Sequence, residues 1–350
     1  MKKIHPKQRQ FWRKQQAKHL ERIKRRNSVL KKLNANRGDY ERAFGKRKDF
    51  RPYRGRRELV APDNFSFIDN TAMMVAFFKR MERAFRNGFD VFIDFSGMKS
   101  LSPESMAVFV SHMKDARITR GLQCSGNEPE DKEIRKQFIE SGFYEVVVSR
   151  GRRPQAASGS FRKKTSTKVQ PQMIDDMVAF ATNKLFGEYR KCGGVTNALL
   201  ETMGNTRGHA AGDASRHETW WAYVHCDTKR NIATYCLVDN GVGIFRSRKI
   251  GRVREALNKI AITSNIEILK KMLRRQIESS TGIPYRGRGI PSIFKSLQRG
   301  DIRNLTFIAN DVVAKVEKDE YYTLSPPFKG TYVSWEYHGD SHGKAKASGV

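Results

Sequence analysis

The stretch Ile232-Ala-Thr-Tyr-Cys-Leu-Val-Asp-Asn-Gly-Val-Gly243 joins an apolar run to a polar, glycine-rich turn. The apolar run Ile232–Val238 predicts a buried strand. Asp239 follows this strand, and a carboxylate in that place can accept a hydrogen bond from an amino group of a ligand. Gly241 and Gly243 have no side chain, so the backbone can approach such a ligand closely. The Asn-Gly pair also indicates a simple tight turn, so both interpretations stay open at this point.

Upstream of this turn, a predicted helix over residues 195–210 carries a second polar pattern. Glu201 and Asn205 are four residues apart and therefore share a face of the helix, with His209 one turn further along. Asn205 offers a hard oxygen ligand that suits Mg²⁺, and Glu201 could orient or deprotonate an attacking nucleophile. An ordinary solvated helix face has the same spacing, and for this helix alone that alternative is favoured.

Two glycine motifs follow downstream. Gly287-Arg288-Gly289 opens a short predicted helix, whose free N–H groups and positive dipole end suit a phosphate. Gly330-Thr331 immediately precedes the last predicted strand. The sequence contains no G-x-x-x-x-G-K-S/T motif, which excludes a P-loop, and it also lacks H-E-x-x-H and G-x-S-x-G.

The remaining periodicity predicts an α/β chain of the α+β kind. Residues 58–149 are predicted to form a small α/β domain, and residues 171–338 a second domain with helices on one face of a mixed sheet. Glycine, serine and basic residues predict a linker over residues 150–170, and residues 339–350 are expected to be a disordered tail. Helices are expected over residues 70–86, 102–116, 130–141, 173–190, 195–210 and 290–297. Strands are expected over residues 90–95, 122–124, 144–148, 220–226, 232–238, 305–309, 312–316 and 332–337.

Charge is distributed unevenly along the chain. The 350 residues include 67 lysines and arginines against 36 acidic residues, and residues 1–57 hold 22 of the basic residues but only 4 of the acidic ones. This basic N-terminal extension predicts an acidic partner, and its aromatic residues Phe11, Trp12, Phe50 and Tyr53 suit non-specific, salt-dependent binding of nucleic acid. A solvated tail or a docking arm for an acidic protein is the alternative.

The sequence contains no apolar run near the ~18 residues that a membrane-spanning helix needs, and its first residues are too polar for a signal peptide. We therefore expect a soluble, cytoplasmic protein without a membrane partner. Its four cysteines are scattered and form no C-x-x-C pair, which argues against a disulfide framework and a zinc site.

The ordered set of motifs resembles the GHKL ATPase family, which includes gyrase, the heat-shock chaperone ATPase, histidine kinases and anti-sigma-factor kinases. The segment Leu199-Leu-Glu-Thr-Met-Gly-Asn-Thr-Arg-Gly-His209 resembles the N box of that family. Asp239-x-Gly241-x-Gly243 resembles its G1 box, Gly287-x-Gly289 its G2 box, and Gly330-Thr331 its late Gly-Thr. The resemblance covers residues 171–338 and implies a Bergerat-type α/β sandwich that binds ATP and Mg²⁺ and acts as an ATPase.

The resemblance also implies roles for single residues. Glu201 would be the general base, Asn205 would hold Mg²⁺, and Asp239 would bind adenine with Thr331 nearby. Residues 244–289 would form a lid over the phosphates. The remaining nucleotide-binding positions would be His209, Gly241, Gly243, Gly287, Arg288 and Gly289.

Residues 58–149 resemble a STAS domain, the fold of bacterial anti-sigma-factor antagonists. The resemblance rests on Val91-Phe-Ile-Asp-Phe-Ser96, on the helix start Ser102-Pro-Glu-Ser105, and on the segment from Gly126 to Phe143. Such antagonists are phosphorylated on a serine in an Asp-Ser-Ser-Gly-like turn, which Ser102-Pro-Glu-Ser105 replaces here. The resemblance therefore implies a fixed interaction module for a protein partner.

Three functions fit these patterns. The first is an ATP-dependent molecular switch that hydrolyses ATP through Glu201. The second is a serine protein kinase or partner-switch regulator of the anti-sigma type, and the third is a nucleic-acid-binding module with a nucleotide-sensing domain and no enzymatic activity. Glu201 disfavours a histidine kinase, because histidine kinases generally lack a glutamate at this place. The sequence leaves homo-oligomer formation open.

Overall fold

The computed structural model describes residues 55–147, 159–164, 171–209, 220–246, 264–276 and 289–340. The chain divides into two compact units, Met1–Phe50 and Arg51–Val350. All described residues lie in the second unit, which therefore includes both of the domains predicted over residues 58–149 and 171–338. The predicted basic extension and disordered tail lie almost wholly outside the described residues.

A small parallel sheet begins the described part of the chain. Its strands are β1 (Gly55–Val60), β3 (Phe89–Asp94) and β5 (Cys124–Gly126), in the spatial order β1-β3-β5. Two further short strands, β2 (Asn64–Phe65) and β4 (Ser100–Leu101), pair with each other in parallel. Strand β1 was not predicted, because Arg56, Arg57 and Glu58 are charged and give it no apolar pattern, and because it begins inside the basic extension.

Five helices accompany this sheet: α1 (Thr71–Arg86), α2 (Ser105–Lys114), α3 (Ala116–Thr119), α4 (Lys132–Glu140) and α5 (Phe143–Val146). Helix α4 begins where the Asp131 carboxylate accepts hydrogen bonds from the backbone N–H groups of Glu133 and Ile134, both at 2.9 Å. The helices predicted over residues 70–86, 102–116 and 130–141 are confirmed as α1, α2 and α4. The strand predicted over residues 144–148 is wrong, because Gly142 takes a left-handed conformation (φ 78°) and starts helix α5 instead.

A five-stranded sheet follows, in the spatial order β6-β7-β8-β10-β9. Its strands are β6 (Gly159–Lys164), β7 (Trp220–Asp227), β8 (Ile232–Asp239), β9 (Arg303–Lys315) and β10 (Glu320–His338). All neighbouring strands in it are antiparallel, so the prediction of a mixed sheet was wrong. Strand β6 also lies inside the predicted linker, because the polar segment extends the edge of the sheet through backbone hydrogen bonds.

Both faces of this sheet are covered. Helices α6 (Pro171–Phe186), α7 (Gly193–His209), α8 (Asn265–Leu273) and α9 (Gly289–Gln298) pack on the face that carries Tyr235 and Trp335, whose rings stack at 5.9 Å. Helices α1 and α2 pack on the opposite face, where Phe67 lies 5.1 Å from Phe328 and 5.0 Å from Tyr332 between ring centroids. The helices of residues 171–338 thus lie on one face of the sheet, as predicted, while the other face is covered by helices of the first half of the described chain, which was not predicted. Strands β7 and β8 are apolar on both faces, and each face needs a cover.

Candidate functional site

The end of strand β8 holds Asp239 in a fixed geometry. Its Oδ1 atom accepts a hydrogen bond of 2.8 Å from the backbone N–H of Gly241, which ties the carboxylate to the turn that follows. Across the β8–β10 ladder, Thr331 stands directly opposite Asp239. The structure thus brings together two residues that are 92 positions apart in the sequence and were both assigned to the same end of a nucleotide site.

Gly330 makes this close pairing possible. Its backbone has φ of 131°, a conformation that residues with a side chain rarely adopt, and a Cβ atom there would overlap the carbonyl oxygen of Asp239. Strand β10 can therefore pass the end of β8 only because position 330 is a glycine. Within the Gly-Thr pair, Gly330 allows the two strands to approach closely, and Thr331 is the residue opposite Asp239.

Asn310, which the sequence analysis did not select, holds the rest of the turn. Its side chain is buried, accepts a hydrogen bond of 3.0 Å from Phe245 N and donates one of 2.9 Å to the carbonyl of Val242. Gly243 (φ 80°) lies against this side chain, where a Cβ atom would come within 2.5 Å of Asn310 Oδ1. Asn310 therefore fixes the glycine turn from strand β9, which is separated from β8 by β10 in the sheet. The only signal for it in the sequence was the gap at residues 310–311 between two predicted strands, which form the single strand β9.

The same turn also touches the opposite side of the molecule. Asn240 is buried, and its Oδ1 atom accepts a hydrogen bond of 3.4 Å from the Ser111 hydroxyl on helix α2. The Ser111 hydroxyl has a single proton, which it can instead donate to the carbonyl of Val108 at 2.7 Å. The residue next to Asp239 is thus in direct contact with helix α2, in the first half of the described chain.

Glu201 lies on helix α7, which packs on the face of the sheet to which Asp239 and Thr331 belong by strand alternation. Its neighbours Leu199, Thr202 and Met203 are buried, while Glu201 is partly exposed. Burial raises the pKa of the Glu201 carboxyl above its usual value. Asn205 and His209 are in the same helix, but their side chains lie outside what the structure describes, so their predicted roles stay predictions.

Helix α9 brings the second glycine motif near helix α7. The Asn197 amide of α7 donates to Ser292 Oγ of α9 at 3.0 Å, and Gly289 is the buried first residue of α9. Gly287 and Arg288, and most of the predicted lid, lie outside the described residues. Within that segment the structure places helix α8, where Asn265 donates a hydrogen bond to the Asp311 carboxylate next to Asn310.

The site residues thus fall into three groups. Asp239, Gly241, Gly243 and Thr331 meet at one corner of the sheet, and Glu201 stands on the helix that covers the same face. Gly289 opens a helix that packs on that covering helix. The positions of the other side chains, those of Asn205, His209 and Arg288, and the whole of Gly287 are not described.

The sequence matches no model of a known protein family and no curated protein sequence. The resemblance to GHKL ATPases therefore rests on the order of the sequence motifs alone. In the described parts of the chain, no helix is both long and apolar enough to cross a membrane. Those parts also contain no group of three or more histidine, cysteine, aspartate or glutamate side chains that could hold a metal ion.

Proposed function

We propose that residues 171–338 bind ATP in the manner of GHKL ATPases and hydrolyse it as part of a molecular switch. The observation that carries this proposal is the pairing of Asp239 with Thr331 across the ladder, beside a glycine that no other residue can replace without a clash. This arrangement presents a carboxylate and a hydroxyl side by side next to exposed turn backbone. Such a set fits the hydrogen-bonding edge of an adenine ring.

At the adenine end, Asp239 would accept a hydrogen bond from the exocyclic amino group. The bond from Gly241 N–H orients the carboxylate before the ligand arrives, so little side-chain entropy is lost on binding. Asn310 holds the same turn through its hydrogen bonds to Phe245 N–H and the Val242 carbonyl. A preorganised acceptor of this kind favours adenine over guanine, which carries an oxygen where adenine carries the amino group.

At the phosphate end, Glu201 would act as general base toward the attacking water. A carboxylate whose pKa is raised by burial is a stronger base than an exposed one, which suits this role. Asn205 would hold the Mg²⁺ that accompanies the nucleotide. The N–H groups at the start of helix α9, beginning at Gly289, are available for phosphate oxygens.

The hydrolysis step can be tested with Glu201→Gln, which keeps the shape of the side chain and removes its basicity. We expect Mg-ATP to bind with unchanged affinity while turnover falls by about 10²- to 10⁴-fold. Glu188→Gln, which alters an exposed glutamate near the end of helix α6, serves as the control and should leave both quantities unchanged. Unchanged turnover in Glu201→Gln would contradict the assigned role.

Transfer of phosphate to a protein serine is the alternative outcome of the same chemistry. With γ-labelled ATP, the switch predicts that label is released as free phosphate, whereas a serine kinase would leave it on a protein. The contact between Asn240 and Ser111 favours a switch, because it joins the turn beside Asp239 directly to helix α2 of the proposed interaction module. A change in the turn on nucleotide binding would reach that module without any intervening residue.

A further inference from the structure

A second polar cleft lies on the opposite face of the large sheet. It has a volume of about 770 Å³, within the range of small-molecule sites, and separates the sheet from the start of helix α2 and from helix α4. Its floor consists of side chains from three adjacent strands, His225, Thr234 and Ser334, and its wall includes Glu104 and Gln137.

This cleft is separate from the corner that holds Asp239. Thr234 and Asp239 are on the same strand but five residues apart, which places them about 17 Å from each other along β8. Their side chains also point to opposite faces, because five is an odd number of residues. A ligand in the cleft would therefore contact neither Asp239 nor Thr331.

Glu104 is the most unusual group in the cleft. Only 8% of it is exposed, yet no ion pair in the described part of the chain involves it. A buried carboxylate without a cation is costly, and Asp69 and Glu336 add negative charge nearby. Asp69 has its own cation in Lys315, at 3.3 Å. The missing partner is therefore specific to Glu104.

The floor of the cleft has unused hydrogen-bonding capacity as well. Nδ1 of His225 is buried without a hydrogen-bond partner. The Ser334 hydroxyl, in a residue that is 1% exposed, lies near that of Tyr332, yet neither makes a hydrogen bond of good geometry. Buried polar groups of this kind normally have a partner, and the two that line the cleft, Nδ1 of His225 and the Ser334 hydroxyl, indicate that something absent from the chain supplies it.

The side chains that line the cleft carry a net negative charge, whereas the whole chain is basic. Carboxylates outnumber lysine and arginine side chains among its lining residues, although the whole chain has 67 basic and 36 acidic residues. A cation that enters the cleft is attracted locally while the rest of the protein repels it. Binding there would thus be specific to the site and not a general effect of charge.

From these observations we propose that the cleft is a binding site for a small organic cation, an amine or guanidine, whose charged group pairs with Glu104 and whose polar body bonds to Ser334 and His225. The guanidinium or ammonium head supplies the donors that the carboxylate needs. Thr234 and Thr306 on the same floor offer further hydroxyl groups.

Occupancy of this site should depend on pH in a defined direction. Burial, with smaller contributions from Asp69 and Glu336, raises the pKa of Glu104 to about 7, against a hydrogen bond from Ser102 and its own backbone that lower it. The pKa of His225 is lowered to about 4 by its burial, so this ring stays neutral from pH 6 to pH 8. Ionised Glu104 is thus scarce at pH 6 and dominant at pH 8, and a cation should bind about tenfold more tightly at pH 8.

Calorimetric titration of the full chain with agmatine tests the proposal, with uncharged N-butylurea as the comparison ligand. We expect saturable 1:1 binding of agmatine, about tenfold tighter at pH 8 than at pH 6, and no saturable binding of N-butylurea. Glu104→Gln should abolish agmatine binding, while Glu140→Gln, at the rim of the same cleft, should retain it. Absence of saturable agmatine binding to the unaltered chain would overturn the proposal, as would equal binding by Glu104→Gln.

Ser334→Ala provides a second variant that removes a hydroxyl without adding bulk, in case Glu104→Gln does not fold. Circular dichroism establishes the fold of each variant first. Ser334→Ala should weaken agmatine binding severalfold and keep its pH dependence, because Glu104 is still present. Equal affinity of Ser334→Ala and the unaltered chain at both pH values would contradict the assigned place of the ligand.

Discussion

At the scale of single residues, Asn310 fixes the glycine turn of the site although it belongs to none of the motifs. It adopts a left-handed backbone conformation (φ 52°) in the middle of strand β9, where the register of the ladder with β10 shifts. Asparagine tolerates this conformation better than most residues with a side chain. The resulting irregularity points its amide toward the turn at Val242–Phe245, and the turn receives both a donor and an acceptor.

Asn310→Ala should therefore destabilise the protein and loosen the proposed nucleotide site. The change leaves the buried Phe245 N–H and the partly buried Val242 carbonyl without their partner and puts alanine in a left-handed conformation. We expect a loss of about 2 to 4 kcal/mol in the free energy of unfolding, measured with a chemical denaturant.

Asn304→Ala is the matched control, because Asn304 also has a positive φ (51°) but bonds to Glu336 at the exposed surface. Its cost should stay within about 1 kcal/mol. Equal losses for the two variants would show that the backbone conformation, and not the bonds to the turn, accounts for the effect at position 310.

At the scale of elements, the helices and strands that the sequence predicts correctly are those with a strong apolar pattern. Helix α1 buries Met74, Phe77, Phe78 and Met81 at helical spacing, and strand β8 is mostly apolar from Ile232 to Val238. Strands β1 and β6 escape prediction because each lies at the edge of a sheet and is rich in charged residues. Their place is set by backbone hydrogen bonds to β3 and β7, which composition does not reveal.

The candidate site, like the fold, could be predicted from the sequence only in part. The order of Glu201, Asp239 and Thr331 along the chain and their residue types could be read from the sequence, where they resemble a family pattern. Their relation in space could not, since the pairing of Asp239 with Thr331 depends on the register of two distant strands. Asn310 and the contact between Ser111 and Asn240 belong to no motif and follow only from the packing of elements.

At the scale of the whole molecule, the two predicted domains share one core. Residues of the first half, such as Phe67, Phe78 and Met106, form one apolar cluster with Trp221, Tyr332 and other residues of the large sheet. The antiparallel sheet is therefore the middle layer of residues 55–340, with α1 and α2 on one side and α6 to α9 on the other. A half of this structure without the other would expose a broad apolar surface.

This arrangement predicts a single cooperative unfolding transition for the described unit. Phe95→Ala removes a buried ring that contacts Phe65, Phe109 and Phe138, all in the first half, and should cost about 3 to 5 kcal/mol. Trp220, Trp221 and Trp335 are all in the large sheet, so tryptophan fluorescence reports mainly on the second half.

In a shared core, Phe95→Ala should shift the fluorescence transition to lower denaturant together with the circular dichroism signal. Val60→Ala, at a largely exposed position of the same first half, should leave both transitions within about 0.5 kcal/mol. A fluorescence transition that Phe95→Ala does not move would indicate two independently folding domains.

Under the proposed switch, the contact between the turn and helix α2 would couple nucleotide binding to the position of that helix. The Asn240 side chain belongs to the turn that begins at Asp239, and its partner Ser111 belongs to the helix that packs on strands β7 and β8. Nucleotide that orders the turn would thus stabilise one position of α2 relative to the sheet. The coupling needs no separate pathway, because the two parts are already in contact.

The most direct test of the account is the binding of a non-hydrolysable ATP analogue, with Mg²⁺, to the full chain by calorimetry. We expect saturable binding, clear preference over the matching GTP analogue, and a loss of about 10- to 100-fold in affinity for Asp239→Asn. Asp175→Asn, which alters an exposed aspartate of helix α6, should bind like the unaltered chain. Absence of saturable binding to the unaltered chain, or an Asp239→Asn variant that binds the ATP analogue equally well, would contradict the central claim.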